Sequence, residues 1–169
     1  MSTCRNYVGN MESKMRKKVI GKQFEKVKLQ RGNCGGEGVI KDYMGYLIFA
    51  YSLRLGQGSS NWAEAKALLF GVNWCIDNGY DIILTESNSK LLVECVNDLN
   101  QTPWRILKEV SNLKVQMENI GFILQHCYRE ANKVADNLVS LSFVEPHNQT
   151  YEAFVDLPAE ARGLMTMDR

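Results

Sequence analysis

Five cysteines in this 169-residue chain raise the question of a zinc site. Cysteine ligands of structural zinc usually come in C-x-x-C pairs, and this chain contains no such pair. The odd number and scattered spacing favour reduced thiols of the cytosol or nucleus and argue against a zinc site. The cysteines are Cys4, Cys34, Cys75, Cys95 and Cys127.

The four glycines of residues 32–38 raise the question of a loop that cradles phosphate groups. Such loops lead into a helix, whose free backbone N–H groups face the anion. Here the residues that follow predict a strand, so the run lacks the context of a phosphate-binding loop. We expect residues 32–38 to form a loop between two strands.

Charge is distributed unevenly along the chain. Residues 1–32 hold nine Lys or Arg against Glu12 and Glu25, a net charge of +7, whereas residues 33–169 hold eleven against seventeen acids, a net charge of −6. The N-terminal basic cluster can attract nucleic-acid phosphates or act as a nuclear address. The alternative interpretation is a solvated, flexible arm. The cluster comprises Lys14, Arg16, Lys17, Lys18 and Lys22.

Four further polar residues have both a structural and a functional interpretation. Glu64 follows Asn61 by three residues, so it can be the acid of a capping box at a helix start, where the helix dipole favours a negative charge. Asp136 near another helix start has the same structural interpretation. Asn88 follows a strand and can cap the next helix. His126 is isolated, and a lone histidine is more often structural than catalytic.

Hydrophobic periodicity predicts the element order β-β-β-α-β-α-α-β-α. Strands are predicted at residues 24–29, 39–41, 46–55, 81–86 and 122–128, and helices at residues 62–78, 89–97, 104–119 and 131–143. The first three strands follow through short connections, including a hairpin turn at residues 42–45, so they should be antiparallel. The later strands arrive through helices and should lie parallel to a neighbour. The expected fold is α/β, a mixed five-stranded sheet flanked by helices.

The apolar residues are numerous enough for a folded core, at 45% of the chain. Trp62, Trp74 and Trp104 are predicted to be core or partly buried residues and not base-stacking platforms. No apolar run approaches the roughly 20 residues that span a bilayer, and the N-terminus has no apolar signal-peptide core. We therefore expect a nuclear or cytoplasmic monomer without a membrane partner.

Three segments carry a family resemblance. Residues 60–68 read SNWAEAKAL, residues 85–89 read TESNS, and residues 128–138 read YREANKVADNL. They resemble the N-x-A-E-x-x-A-L helix start, the E-S-D-S strand end and the R-E-A-N-x-x-A-D-x-L ending of plant-type, reverse-transcriptase-like ribonuclease H domains. The motifs occur in the order of that family, and the predicted element order is also similar to the ribonuclease H fold.

The resemblance implies a metal-dependent endonuclease, a hydrolase that cuts the RNA strand of an RNA–DNA hybrid. Two Mg²⁺ or Mn²⁺ ions about 3.5–4 Å apart would be held by four carboxylates, because hard cations prefer charged oxygen ligands. Glu64 and Asp136 match two of these carboxylates and are the implied metal ligands. Asn88 stands at the third catalytic position, where the family has Asp. His126 lies near a family histidine that assists proton transfer or product release.

The resemblance also implies a contact with the substrate. In the family, the helix start that matches Ser60 and Asn61 faces the minor groove of the hybrid. Polar side chains can recognise 2′-hydroxyl groups there, and these groups distinguish RNA from DNA. Ser60 and Asn61 are therefore the expected nucleic-acid-binding residues.

The carboxylate set is incomplete. The family has an Asp-Gly pair at the end of its first strand, whereas no acid occurs here between Glu25 and Glu37. The neutral amide of Asn88 is a poor substitute for a charged ligand. Glu25, Glu37 or Glu86 can replace the missing acid only by turning toward the site, and Glu86 is best placed because it should share its side of the strand with Asn88.

These departures predict a ribonuclease H-like protein that binds RNA–DNA hybrid or other nucleic acid, with hybrid cleavage weak or lost and its divalent ion held weakly. The alternatives are an active hybrid endoribonuclease, and a retrotransposon-derived relic or an incomplete gene model. The expected organisation is a flexible basic arm over residues 1–22, the ribonuclease H-like domain over residues 23–144, and a loose tail over residues 145–169 with one helical turn.

Overall fold

A computed structural model describes residues 18–21, 29–30, 33–128, 138 and 147–167. These residues form a seven-stranded sheet with helices packed against it. The strands are β1 (Lys18–Gly21), β2 (Leu29–Gln30), β3 (Asn33–Lys41), β4 (Leu47–Gln57), β5 (Ile82–Ser87), β6 (Gly121–His126) and β7 (Gln149–Tyr151). The helices are α1 (Ser60–Asp77), α2 (Lys90–Val96), α3 (Leu107–Asn119) and α4 (Ala159–Met167), with 3₁₀ turns at Trp104–Ile106 and Phe154–Asp156.

The sheet is mixed, as the sequence predicts. Its order is β6-β5-β1-β3-β4-β7, and β2 pairs with β3 outside this path. Strands β1, β5 and β6 are parallel to one another, whereas β3 is antiparallel to both β1 and β4. The path β6-β5-β1-β3-β4 is the expected five-stranded sheet of three antiparallel and two further parallel strands. The fold class is therefore confirmed, and β2 and β7 are additions to it.

The first strand lies earlier in the chain than the sequence predicts. Val19 pairs with Ile83 and Gly21 with Thr85, so β1 occupies the centre of the sheet although an arm was expected at residues 1–22. The strand expected at residues 24–29 lies mostly outside the described residues. The sequence did not predict this strand because it contains only two residues of high strand propensity, Val19 and Ile20, among several lysines.

The glycine-rich run is part of a buried strand and not a loop. A Cβ atom at Gly36 would lie 2.8 Å from the Cβ of Ala67, and one at Gly38 would lie 2.2 Å from the hydroxyl oxygen of Tyr51. Helix α1 and the Tyr51 ring therefore lie too close to β3 for any side chain at these positions. Glycine marks close packing here and not a turn.

Helix α1 covers one face of the sheet. It begins after the cap residue Ser59 and ends at Asn78, followed by Gly79 at a φ of +79°. Its buried face packs against α2, α3 and residues of β3, β4, β5 and β6, and together they form the larger core. The Tyr51 hydroxyl donates a hydrogen bond to the Ala67 carbonyl at 2.7 Å and joins the strand to the helix inside this core.

The opposite face is covered by the C-terminal segment, for which the sequence predicted a loose tail. Strand β7 pairs with the outer edge of β4, and helix α4 follows it. The prediction was wrong because the α4-side face of β3 and β4 is apolar and requires a cover. This smaller core contains Val39, Ala50, Leu138, Leu157, Ala161 and Met165.

The remaining elements agree with the sequence to within a few residues. The hairpin turn has Gly45 at a φ of +85°, and Asp42 accepts hydrogen bonds from the backbone N–H groups of Met44 and Tyr46. The helix expected at residues 131–143 lies outside the described residues, apart from the buried Leu138. Among the described helices, none is long and apolar enough to cross a membrane.

Candidate functional site

One edge of the sheet collects most of the predicted site residues. Strands β1, β5 and β6 are parallel, so their carboxyl ends meet at this edge. Strand β4 runs in the same direction, because both β4 and β1 are antiparallel to β3. It ends at Gln57, and α1 begins three residues later. The start of α1, Asn88 after β5, and His126 at the end of β6 therefore lie at the same edge.

Glu64 lies in the early part of α1 and is buried, with 8% of its surface exposed. It is not a capping-box acid, because the cap is Ser59, whose hydroxyl oxygen accepts a hydrogen bond from the Trp62 N–H at 3.3 Å. The capping-box position three residues after the cap is therefore Trp62. The structural interpretation of Glu64 is wrong, and its carboxylate remains a candidate for the site.

Asn88 follows the last residue of β5 and is partly exposed. It does not cap α2, because Ser89 is the cap and its hydroxyl oxygen accepts a hydrogen bond from the Leu92 N–H at 3.3 Å. The Ser89 N–H in turn donates to the Ser87 hydroxyl oxygen at 3.1 Å. The capping interpretation of Asn88 is therefore wrong, and its amide stands at the edge of the sheet.

His126 is the last residue of β6 and pairs with Ser87 of β5. Its ring is exposed and meets the exposed ring of Tyr128 edge-on at 5.6 Å. The Cys127 N–H donates to the Ser87 carbonyl at 3.0 Å, so the backbone stays tied to β5 beyond the strand end. The sequence left open whether His126 lies on a strand or in a loop, and the structure places it on the strand.

The expected substitutes for the missing acid do not lie with Glu64. Glu37 is fully buried and shares the face of β3 with Val39 of the smaller core, whereas α1 packs on the other face. Ile83 of β5 belongs to the α1-side core, so Glu86 faces away from α1. Glu25 lies outside the described residues.

The described donors do not fit a pair of Mg²⁺ ions. Within the part of the chain that the structure describes, no three His, Cys, Asp or Glu residues form a group that could hold a metal. Strand β1 contains no acid among Lys18–Gly21, and Asn88 contributes a neutral oxygen. Asp136, the second expected metal ligand, lies outside the described residues. Glu64 is therefore the one carboxylate that this edge offers from the described residues at an expected ligand position.

The expected nucleic-acid contacts lie in the first turn of α1. Ser60 and Asn61 are partly exposed there, at the end of the helix where backbone N–H groups lack intrahelical partners and the dipole favours negative charge. This end of α1 is open to a ligand that carries phosphate groups and hydroxyls. The two residues keep their predicted role as candidates.

An open cleft of about 440 Å³ lies beside the start of α1. Trp104 lines it and is 79% exposed, so the prediction of burial is wrong for this tryptophan. It holds for Trp62, which is partly buried, and for Trp74, whose ring stacks on Phe49 at 4.2 Å. One feature of the sequence indicates that Trp104 is exposed, namely its position next to Pro103 in the turn that precedes the amphipathic α3. The described residues that line it are Gly58, Ser59, Trp62, Trp104 and Arg105.

Comparison with known proteins shows the family of this chain. A family model described as reverse transcriptase-like matches residues 24–142. No curated protein matches the chain.

Several solved structures share the fold at low sequence identity. Ribonuclease H1 of the archaeon Halobacterium salinarum has a TM-score of 0.67 at 16% identity, covering 73% of this chain and 97% of its own. The ribonuclease H1 LC11, isolated from compost and solved with RNA/DNA hybrid, has a TM-score of 0.64 at 23% identity, covering 73% of this chain and 95% of its own. A foamy viral protease-reverse transcriptase, also solved with hybrid, has a TM-score of 0.64 at 16% identity, covering 86% of this chain and 22% of its own.

Proposed function

This chain belongs to the reverse transcriptase-like family, and from that membership we propose that it binds RNA–DNA hybrid and cleaves it weakly or not at all. Its domain is ribonuclease H-like, as the sequence resemblance predicts. Two structures of similar fold, LC11 ribonuclease H1 and the foamy viral enzyme, were solved with RNA/DNA hybrid. Their ligand supports a hybrid as the nucleic acid to test first.

The binding half of the proposal rests on the sheet edge. Ser60 and Asn61 present hydrogen-bonding groups at the start of α1, and Asn88 presents an amide from the end of β5. Side chains of this kind can bind the hydroxyls and base edges that a hybrid displays in its minor groove. The groups require no metal ion, so binding should persist when divalent cations are removed.

The observation that carries the loss of cleavage is the composition of β1. The central strand contributes Lys18–Gly21 to the sheet and no carboxylate, and a neutral amide follows β5. Two-metal cleavage of a phosphodiester needs several anionic ligands around both ions, because each ion must stay bound while charge develops on the phosphate. Glu64 and Asp136 can supply two ligands, which favours weak binding of one Mg²⁺ or Mn²⁺ ion.

Binding is tested with labelled hybrid, duplex DNA and duplex RNA of one sequence, titrated with the full chain in EDTA at several salt concentrations. We expect the hybrid to bind best, with affinity that falls as salt rises. Asn61→Ala should weaken hybrid binding roughly 3- to 10-fold, from the loss of one hydrogen bond worth about 1 kcal/mol. Asn112→Ala, at an exposed position of α3, serves as the control. Equal affinity for all three duplexes would contradict hybrid recognition.

Cleavage is tested on the same hybrid with Mg²⁺ or Mn²⁺ in place of EDTA. We expect no multiple turnover from the wild type. Multiple turnover that disappears in Glu64→Gln would overturn the proposal and establish the alternative, an active hybrid ribonuclease. A nuclear or cytoplasmic location and a monomeric state remain predictions, which imaging of a tagged chain and light scattering can check.

A further inference from the structure

Contacts within the protein fix the shape of the cleft beside α1. The Trp62 ring lies so close to Gly58 that a Cβ atom there would be 2.3 Å from the ring carbon Cε3. The ammonium nitrogen of Lys66 lies 5.7 Å from the centroid of the same ring. Lys66 is itself held by the buried carboxylate of Glu109 at 3.0 Å, which joins α1 to α3. The contacts with Gly58 and Lys66 therefore fix the position of the Trp62 ring, which forms one wall of the cleft.

The other wall is an exposed aromatic surface. Trp104 is 79% exposed in the 3₁₀ turn before α3, and the guanidinium of Arg105 lies 5.2 Å from its ring centroid. Within the described residues, the ring contacts of Trp62 and Trp104 are with cations, whereas Trp74 stacks on other rings. An indole left this accessible can stack on a flat aromatic partner such as a nucleobase.

Charge selects an anionic occupant. Arg105 lines the cleft, and no Asp or Glu is among the described residues that line it. The nearby Glu109 is 4% exposed and paired with Lys66, so these two charges largely offset each other and Arg105 supplies the positive potential of the cleft. The volume of about 440 Å³ is within the usual range of small-molecule sites, about 300–1,000 Å³.

We propose that this cleft binds an unpaired nucleobase of a single strand that extends from the hybrid. The base stacks on Trp104 and its backbone phosphate lies toward Arg105. A base pair inside a duplex offers only its edges because its neighbours stack on both of its faces, so a base that enters the cleft must come from a single strand. The inference rests on the proposed function, and it makes the preferred ligand a junction between hybrid and single strand.

The test measures the affinity of the full chain for a blunt hybrid and for hybrids with a short overhang, either dT on the DNA strand or U on the RNA strand. We expect an overhang to raise affinity about 5- to 30-fold, since stacking on an aromatic side chain is worth roughly 1–2 kcal/mol per base. A larger gain for dT than for U, or the reverse, identifies which strand the cleft takes.

Variants assign the gain to the cleft. Trp104→Ala should remove it while leaving the affinity for blunt hybrid within about twofold, and Trp104→Phe should retain most of it. Val115→Ala, at an exposed apolar position of α3, is the control. Equal affinity for blunt and overhang hybrids, or a gain that survives in Trp104→Ala, would overturn the proposal while the proposed function stands.

A second measurement separates failure of the cleft from failure of the proposed function. If no hybrid binds, the proposed function fails, and single-stranded oligo-dT is titrated against the intrinsic tryptophan fluorescence. Quenching that is lost in Trp104→Ala supports the cleft as a single-strand site. Absence of quenching, or the same quenching in Trp104→Ala, overturns it.

Discussion

At the scale of single residues, position along an element decides what a polar side chain can do. Glu64 and Asn88 both invite a capping role in the sequence, yet the caps are Ser59 and Ser89. Capping requires the one residue whose backbone turns into the helix, and a shift of one position removes the role. Neither side chain is a cap, and at the sheet edge one is a carboxyl group and the other a neutral amide.

Cys75 predicts a pH dependence of stability. Burial raises the pKa of its thiol from the ordinary value of 9.0 to about 12. The unfolded chain therefore loses this proton first, and the contribution of Cys75 to the free energy of unfolding is full below pH 9 and falls between pH 9 and 12. The expected slope is at most about 1.4 kcal/mol per pH unit.

This dependence is measured by urea denaturation of the wild type and Cys75→Ala at several pH values. The difference between their unfolding free energies should be constant up to about pH 9 and shrink above it. Burial and the charge of the neighbouring Cys75 also raise the pKa of Tyr80, so the difference between the two proteins reports the thiol together with its coupling to Tyr80. A difference that stays constant up to pH 11 would contradict the buried assignment.

At the scale of elements, glycine has two different uses in this chain. In β3 it allows α1 and the Tyr51 ring to approach the strand closely, whereas Gly45 and Gly79 adopt a positive φ at the ends of elements. Local sequence favours a loop for both uses. The two uses differ in what the glycine contacts in the folded chain. In β3, a closely packed helix or ring leaves no space for a side chain, and local sequence does not show that neighbour.

Two glycine substitutions should therefore change stability in opposite directions. Gly38→Ala should destabilise the fold by about 1–3 kcal/mol, because its Cβ would overlap the buried Tyr51 hydroxyl group. Gly163→Ala, in α4, meets nothing within 4 Å and should stabilise it by roughly 0.5–1 kcal/mol through helix propensity. Unfolding free energies of the two variants check this, and a stable Gly38→Ala protein would refute the close contact.

The C-terminal segment should contribute measurably to stability. Leu157 is 2% exposed in the smaller core, whereas Val155 in the 3₁₀ turn just before it is 71% exposed. We expect Leu157→Ala to cost about 2–5 kcal/mol and Val155→Ala less than about 0.5 kcal/mol. If thermal or urea denaturation gives the same small cost for both, the segment does not pack as described.

At the scale of the whole molecule, a ribonuclease H-like fold occurs together with few carboxylates among the described residues of the sheet edge. The sheet path of β6-β5-β1-β3-β4 brings four element ends to one edge, and the cores on both faces hold that edge in place. A fold of this kind can keep a surface for nucleic acid after ligands for metal are lost, because backbone packing and site chemistry depend on different residues.

Magnesium should therefore affect stability little. A bound ligand raises stability in proportion to the logarithm of its concentration over its dissociation constant. With few carboxylates at the sheet edge, we expect the Tm in about 5 mM MgCl₂ to lie within about 1 °C of the Tm in EDTA. A saturable rise in Tm that Glu64→Gln abolishes, and that Glu118→Gln on exposed α3 does not, would indicate an intact metal site.

The sequence alone determined the mixed sheet, the helices around it and the family, because hydrophobic periodicity and short motifs involve residues that are close together in the sequence. It also showed that a neutral residue, Asn88, stands where the family has Asp. The location of β1, the strand character of Gly36 and Gly38, and the helix over residues 159–167 were decided by tertiary structure. Each depends on a partner distant in sequence: a parallel neighbour, a closely packed helix, or an apolar face that needs a cover. The same reason explains the cleft, since Trp62 and Trp104 are brought to it by different elements and only the fold makes them its two walls.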